Sequence, residues 1–274
     1  MNTIRLGTTS YIIENDIVPN VQYLGNTVDD IELVLFESEA ISNLPDKKTI
    51  KELSCLAKEH NLTYTVHFPL DIYPGSASYG ERNRFLGSVK RIIDLTTPLN
   101  PFGYVLHLTP EDYGPIPSND MYRWLSCLEE SLELLVDQSG IENRMFCVET
   151  LSYPFSLVFP LVKRYDLSIT LDIGHIWLMG YDMKENLDLL LPRTRIAHLH
   201  GVHEGKDHLG LEAGDHSLIA QFLSALSQQA KQDGKERVLT LEVFSEAAFV
   251  SSLSLLQKNH GMMGKISGGS YGNH

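Results

Sequence analysis

The stretch "LSITLDIGH", residues 167–175, carries the key to the fold. Leu167 to Leu171 is a run of β-formers that reads as a buried strand, yet it stops on Asp172, and His175 follows three positions later. A carboxylate buried at the end of an apolar strand without a counter-charge costs on the order of several kcal/mol or must be protonated. Such a strand is expected to end where a cation is held.

Similar runs recur along the chain: "IRLGTT" (4–9), "IELVLF" (31–36), "LTYTVH" (62–67), "GYVLHL" (103–108), "MFCVET" (145–150), "RIAHLH" (195–200) and "VLTLEV" (238–243). With 167–172 they make eight. Most gaps hold an amphipathic helical pattern, as in "DKKTIKELSCLAKEH", "MYRWLSCLEESLELLVDQ" and "HSLIAQFLSALSQQAKQ". Residues 11–30 are the least regular, with a short helix at best over "VPNVQYL". Strands that alternate with helices pair in parallel through right-handed crossovers, and eight such units predict an α/β fold closed into a (β/α)8 TIM barrel. An open doubly wound sheet is weakened by the lack of a GxGxxG at the first strand–helix turn.

The chain of 274 residues, 43% hydrophobic, is long enough to bury one full core, and a single domain is expected over residues 1–260. The glycine-rich segment 261–274, "GMMGKISGGSYGNH", is expected to be a flexible tail, so His274 is no sign of a metal site. No signal-peptide pattern and no apolar run near the roughly 20 residues of a membrane span is present, which predicts a soluble, cytoplasmic protein. Cys55, Cys127 and Cys147 lie far apart among apolar neighbours and are expected to be buried thiols. The net charge is −13, from 22 basic and 35 acidic residues. Without a basic cluster, extended nucleic acid is disfavoured as a partner, and a small molecule is expected instead. Assembly into a homo-oligomer is left open.

In a barrel of this kind the carboxyl ends of the strands build the site. Strand three ends in His67, strand four carries His107, strand five Glu149, strand six Asp172 with His175 after it, strand seven His198 and His200, and strand eight Glu242. Asp207 and His208 follow strand seven, and Glu37 follows strand two. A lone histidine at a strand end is usually a hydrogen-bonded core or rim residue. Here six of the 11 histidines fall at or just after strand ends, together with buried carboxylates, and a divalent cation accounts for that mixture of nitrogen and oxygen donors. Asp172 is expected to point its oxygen at the metal, and His175 to reach the same region. His198 and His200 are two apart and share a face; His198 is favoured as the ligand, while His200 ligates too, donates to substrate or orients a neighbour.

The order His67, His107, Glu149, Asp172-x-x-His175, His198-Leu199-His200, Asp207-His208 and Glu242 resembles the xylose isomerase-like, AP endonuclease family 2 superfamily of metal-dependent barrels. The resemblance implies that Glu149, Asp172, His198 and Glu242 hold a shared metal. It further implies that His67, His107, His175 and His208 bind additional ions, as in the phosphodiesterase branch, giving one to three Mn2+ or Zn2+. One departure is that the endonuclease pattern has Asp-x-His after strand seven, whereas Asp207 and His208 are adjacent and position 206 is Lys. The stretch "TTSYIIENDIVPNVQYLGNTVDDIELVLFES", with "HFPL" and "HLHG", is similar to the cobamide-remodelling phosphodiesterases of this superfamily. That implies cleavage of the nucleotide loop from a corrinoid.

The expected function is thus metal-dependent hydrolysis of a phosphodiester in a small substrate. Glu149, Glu242, His175 and His200 are the expected catalytic groups, and His200, Asp207, Glu37, Tyr11 and Trp177 the expected substrate contacts. Tyr73, Tyr79 and Tyr153 complete an aromatic rim that competes with a plain packing role. A mobile loop is expected over "YPGSASYGERNR" (73–84), whose Arg82 and Arg84 either meet phosphate or sit on a solvated helix start. A sugar isomerase or epimerase is the alternative, since it needs one metal and two proton-shuttling carboxylates, for which Glu149 and Glu242 also serve. His67 and His107 favour the hydrolase, because a single-metal isomerase does not require them. A non-catalytic metal or corrinoid carrier is the third reading.

Overall fold

Parallel strands need cover on both faces, and in this computed structural model, which describes residues 4–37 and 41–260, they obtain it by closing on themselves with helices outside. In chain order the strands are β1 (Ile4–Thr9), β2 (Asp30–Val34), β3 (Thr63–His67), β4 (Gly103–Leu106), β5 (Phe146–Glu149), β6 (Ser168–Asp172), β7 (Thr194–Leu199), β8 (Gly201–His203), β9 (Lys206–Leu209) and β10 (Arg237–Leu241). The ring runs β1-β10-β7-β6-β5-β4-β3-β2 and closes through β1 pairing with β2, all in parallel. The predicted barrel is therefore the observed fold. The extra pair, β8 and β9, forms an antiparallel hairpin between β7 and β10.

The connecting helices are α1 (Ile17–Leu24), α2 (Lys47–His60), α3 (Tyr79–Thr96), α4 (Met121–Gln138), α5 (Phe159–Arg164), α6 (Ile173–Leu178), α7 (Met183–Leu190), α8 (His216–Asp233) and α9 (Glu246–His260). Local chemistry sets their ends. Asp46 caps α2 by accepting from the Thr49 amide at 2.7 Å, and Asn61 closes that helix in the left-handed region. Asp215 caps α8 in the same way, and Gly234 ends it at φ 66°. The segment 79–84, expected as part of a loop, is instead the first turn of α3, capped by Ser78.

Side chains alternate along each strand, and the alternation sorts two environments. Ile31, Leu33, Val66, Leu106, Val148, Leu171, Leu199 and Leu241 face the helices in the main core. Inside the ring, Val105, Cys147 and Ile196 form a small separate apolar plug with Phe102. Most of the remaining inward positions are polar, among them Asp30, Glu32, Thr65, His67, Glu149, Asp172, His198 and His200, all buried. Cys127 and Cys147 are buried free thiols as expected, but Cys55 is exposed, because the buried positions of α2 are Ile50, Leu53 and Leu56 and it falls on the opposite side. The expected tail, 261–274, lies outside the described residues. Among the described residues no helix is long and apolar enough to cross a membrane.

Candidate metal centre

Asp172 ends β6 because it does two things at once. Its Oδ1 accepts from the His175 amide at 2.9 Å, capping α6, while the side chain lies fully buried at the mouth of the ring. The cap turns the chain so that His175 stands over the same mouth, where its Nδ1 bonds the Thr150 carbonyl at 2.8 Å. A carbonyl can only accept, so that nitrogen carries the proton and Nε2 keeps its lone pair.

Glu149, at the end of β5, is the hub. Its Oε2 lies 2.8 Å from His107 Nε2 and 3.3 Å from His67 Nε2, and its Oε1 lies 3.6 Å from His198 Nδ1. His67 Nδ1 bonds the Phe68 carbonyl at 2.7 Å, which again leaves Nε2 as the free donor atom. Burial opposes the charge on Glu149, but His107 and His198 beside it hold its carboxyl well below the usual range. Burial likewise works against protonated His67, and the Glu149 carboxylate outweighs it, pushing the imidazole up to about 9. These groups therefore compete for a cation.

His198, on β7, is completely buried. Its Nε2 bonds Glu32 Oε2 at 2.9 Å, and its Nδ1 lies 3.1 Å from Glu242 Oε2. His198 Nδ1 and Glu242 Oε2 are both buried without a hydrogen-bond partner. Two acceptors facing each other at that separation call for a positive charge between them. A proton meets this need if His198 is charged, and its pKa is accordingly raised well above normal, burial being outweighed by Glu242, Glu32 and Glu149. A divalent ion meets it better, since every carboxylate around it then gains a partner.

The hairpin β8–β9 delivers the last group. Gly201 starts it, at a point where any Cβ would run into the Gly210 carbonyl. The turn at Glu204 (φ 50°) and Gly205 (φ 74°) reverses the chain, and His208, itself left-handed at φ 51°, swings its ring onto His200 with centroids 4.4 Å apart. Asp207 and His208 thereby both reach the site although they are adjacent in sequence: Asp207 Oδ1 lies 3.2 Å from His208 Nδ1, Asp207 Oδ2 lies 4.0 Å from His175 Nε2, and His208 Nε2 lies 3.5 Å from Glu242 Oε2.

His200, expected to ligate, to donate to substrate or to orient a neighbour, is buried against Asp172. It is 0% exposed, its Nδ1 accepts from the His208 amide at 3.0 Å, and its Nε2 lies 3.2 Å from both oxygens of Asp172. A backbone amide only donates, so the closer contact favours Nε2 carrying the proton towards Asp172, although Nδ1 also lies 3.3 Å from the Gly201 carbonyl. The arrangement braces Asp172, one of the roles expected for His200. Gly174 makes room for it, as any Cβ there would overlap the imidazole.

Three groups of donor atoms emerge, each with its atoms within 4.8 Å of one another: Glu149, Asp172, His198 and Glu242; His67, His107 and Glu149; and Asp172, His175, His200 and His208. Glu149 belongs to two groups and Asp172 to two. The orphaned pair at His198 and Glu242, with the mixed nitrogen and carboxylate donors, fits bound divalent ions, and Glu149, Asp172, His198 and Glu242 would hold the central one.

Other expected contacts lie apart from these groups. Glu37 pairs with Arg91 at 2.6 Å, and the Tyr11 hydroxyl accepts from Asn43 at 2.9 Å. Tyr153 is 1% exposed and donates to the Leu108 carbonyl, so it packs rather than forming a rim. Trp177 bonds Met183 Sδ, because it sits two residues past His175 and so on the far side of α6. Three and four residues past His175, Leu178 and Met179 return to the mouth and line a hollow of about 150 Å³ with Tyr113, Leu151, His175 and Asp207. Tyr73 and Tyr79 are exposed. Arg82 bonds the Ser76 carbonyl and Glu130, and Arg84 bonds Glu81 and Asp71, which is the helix-start arrangement. The sequence reading missed Glu32. Its signal was a charged residue inside the apolar run "IELVLF".

Residues 24–260 match the family model described as xylose isomerase-like TIM barrel. The chain belongs to that family. No curated protein sequence matches it. Among solved structures, this xylose isomerase-like barrel is similar to a D-tagatose 3-epimerase-like protein, at 21% identity and a TM-score of 0.73 over 93% of this chain and 96% of the other. A 3-keto-D-glucoside 4-epimerase, YcjR, from E. coli gives 16% identity and a TM-score of 0.69 over 93% and 98% of the two chains. Endonuclease IV from Thermus thermophilus gives 18% and 0.67 over 93% and 99%. At these identities the likeness is one of fold.

Proposed function

We propose that this barrel is a divalent-metal-dependent phosphodiesterase acting on a small, non-polymeric substrate. The observation that carries the reading is the overlap of three donor groups through Glu149 and Asp172, since His67 and His107 crowd the second oxygen of Glu149 beyond what one ion needs. Divalent ions, when bound there, supply an acidified water and neutralise charge on phosphoryl oxygens. The chain's own part is to hold Glu149 and Asp172 as common carboxylates, to keep His67 and His175 in the tautomer that offers Nε2, and to present Asp207 at the rim as a contact for the bound molecule. The net charge of −13 suits a small diffusible substrate better than a nucleic-acid backbone. The similarity of the N-terminal stretch, "HFPL" and "HLHG" to cobamide-remodelling enzymes makes the nucleotide loop of a cobamide the first substrate to try.

A sugar epimerase is the second reading. The similar epimerase barrels favour it, as does the presence of two carboxylates, Glu149 and Glu242, near the same atom, His198 Nδ1, as a proton-shuttling pair requires. Metal-loaded protein should be incubated with an intact adenosylated cobamide and, separately, with ketose sugars, with Mn2+ or Zn2+ present. Release of the nucleotide loop by mass spectrometry is the expected result. Epimerised sugar with no cleaved phosphodiester would establish the epimerase, and stoichiometric corrinoid binding without turnover a carrier.

A further inference from the structure

Glu32 is a buried charge to which the proposed reaction gives no task. It stands mid-strand on β2, fully buried, and its side chain's one hydrogen-bond partner among the described residues is His198, while its Oε1 has none. The bond does not follow the sheet: β2 lies between β1 and β3, and β7 between β6 and β10, so it spans the inside of the ring. A carboxylate so placed is costly, and an apolar or hydroxyl side chain would fill the position more cheaply. Its geometry does one specific thing. A carboxylate oxygen at 2.9 Å accepts a hydrogen bond from His198 Nε2–H, which leaves the lone pair of the neutral ring on Nδ1, the atom facing Glu149 Oε1 at 3.6 Å and Glu242 Oε2 at 3.1 Å.

We infer that Glu32 is a positioning residue for the metal centre, holding His198 in the Nε2-protonated tautomer and making its Nδ1 a stronger donor to the ion bound with Glu149, Asp172 and Glu242. The inference rests on the metal-centre reading but not on the reaction catalysed. Carboxylate partners of metal-bound histidines typically contribute about 10–100-fold in affinity. Glu32→Ala should weaken binding of Mn2+ or Zn2+ by about that factor, without changing the number of ions bound at saturation. Glu32→Gln, which keeps the volume and one acceptor oxygen but loses the charge, should fall between Glu32→Ala and the parent.

The test titrates metal-free protein with each metal against a chelating indicator, with long-range 1H–15N spectra of the Zn2+-loaded protein to read the His198 tautomer. Nε2-protonated His198 in the parent, with the graded loss of affinity in the variants, is the expected result. Parent-like affinity and an unchanged His198 signal in Glu32→Gln and in folded Glu32→Ala would overturn the inference, while His198→Ala loses the ion. If the parent binds neither metal, the metal-centre reading falls and Glu32 with it, an outcome distinct from the first.

Discussion

Glu149 gives one oxygen to His67 and His107 and turns the other towards His198, so two groups of ligands depend on a single side chain. His107 belongs to one group. Glu149→Gln is therefore expected to lower metal content by more than His107→Ala does, although Gln preserves the volume and the barrel core should hold the fold. Elemental analysis of both variants purified without chelator checks this, and equal losses would contradict the sharing. The histidines and carboxylates of this centre were legible because they are polar groups at the ends of otherwise apolar strands. Glu32 was harder to see, since one charged residue within a strand looks like its solvent face until ring closure puts that face inside. Trp177 was misplaced for a reason of helical phase: at about 100° per residue it lies roughly 200° round α6 from His175.

At the scale of a strand, β2 also carries Asp30 on the inner face two residues before Glu32. Thr63 and Thr65 hydroxyls donate to its carboxyl at 2.6 and 2.9 Å, yet burial dominates and pushes its pKa up to about 7 from 3.8. A raised carboxyl pKa means that the folded state disfavours the charge, so the stability this group allows is complete below about pH 4 and is lost as pH rises through about 7. The loss is on the order of 4 kcal/mol at most. Asp30→Asn should therefore be more stable than the parent at about pH 8 and should gain little at about pH 4, as read by urea unfolding at each pH. A difference that does not vary with pH would show that the carboxyl is free to ionise. The barrel strands were legible to within a few residues as apolar runs, whereas the β8–β9 hairpin was not, because "GVHEGKDHLG" has no apolar alternation. Its one local mark is Glu204-Gly205, both at positive φ, as a primed hairpin turn requires.

For the molecule as a whole, repetition made the architecture readable. Eight strand-and-helix units leave little alternative to closure, while the contents of the lumen depend on which strand ends meet, and no local pattern records that. The Glu32–His198 bond shows what this means in time. Its partners are 166 residues apart and sit on strands that never touch, so neither a half-barrel nor an unclosed sheet contains the pair. Contacts of such long loop length form late, after local helices and neighbouring strands have been gained. Glu149, Asp172, His198 and Glu242 lie on or at the ends of the neighbouring strands β5, β6, β7 and β10, so a weaker site can form before closure, and only the affinity that Glu32 adds should return last on refolding. In a stopped-flow experiment that follows helical circular dichroism and an indicator dye together, the ellipticity is expected to recover first, the dye to lose some metal next, and the final tightening to come only in the slowest phase, which Glu32→Ala should remove. That tightening is in this sense a clock for ring closure, reporting the moment at which β2 comes to face β7 across the lumen.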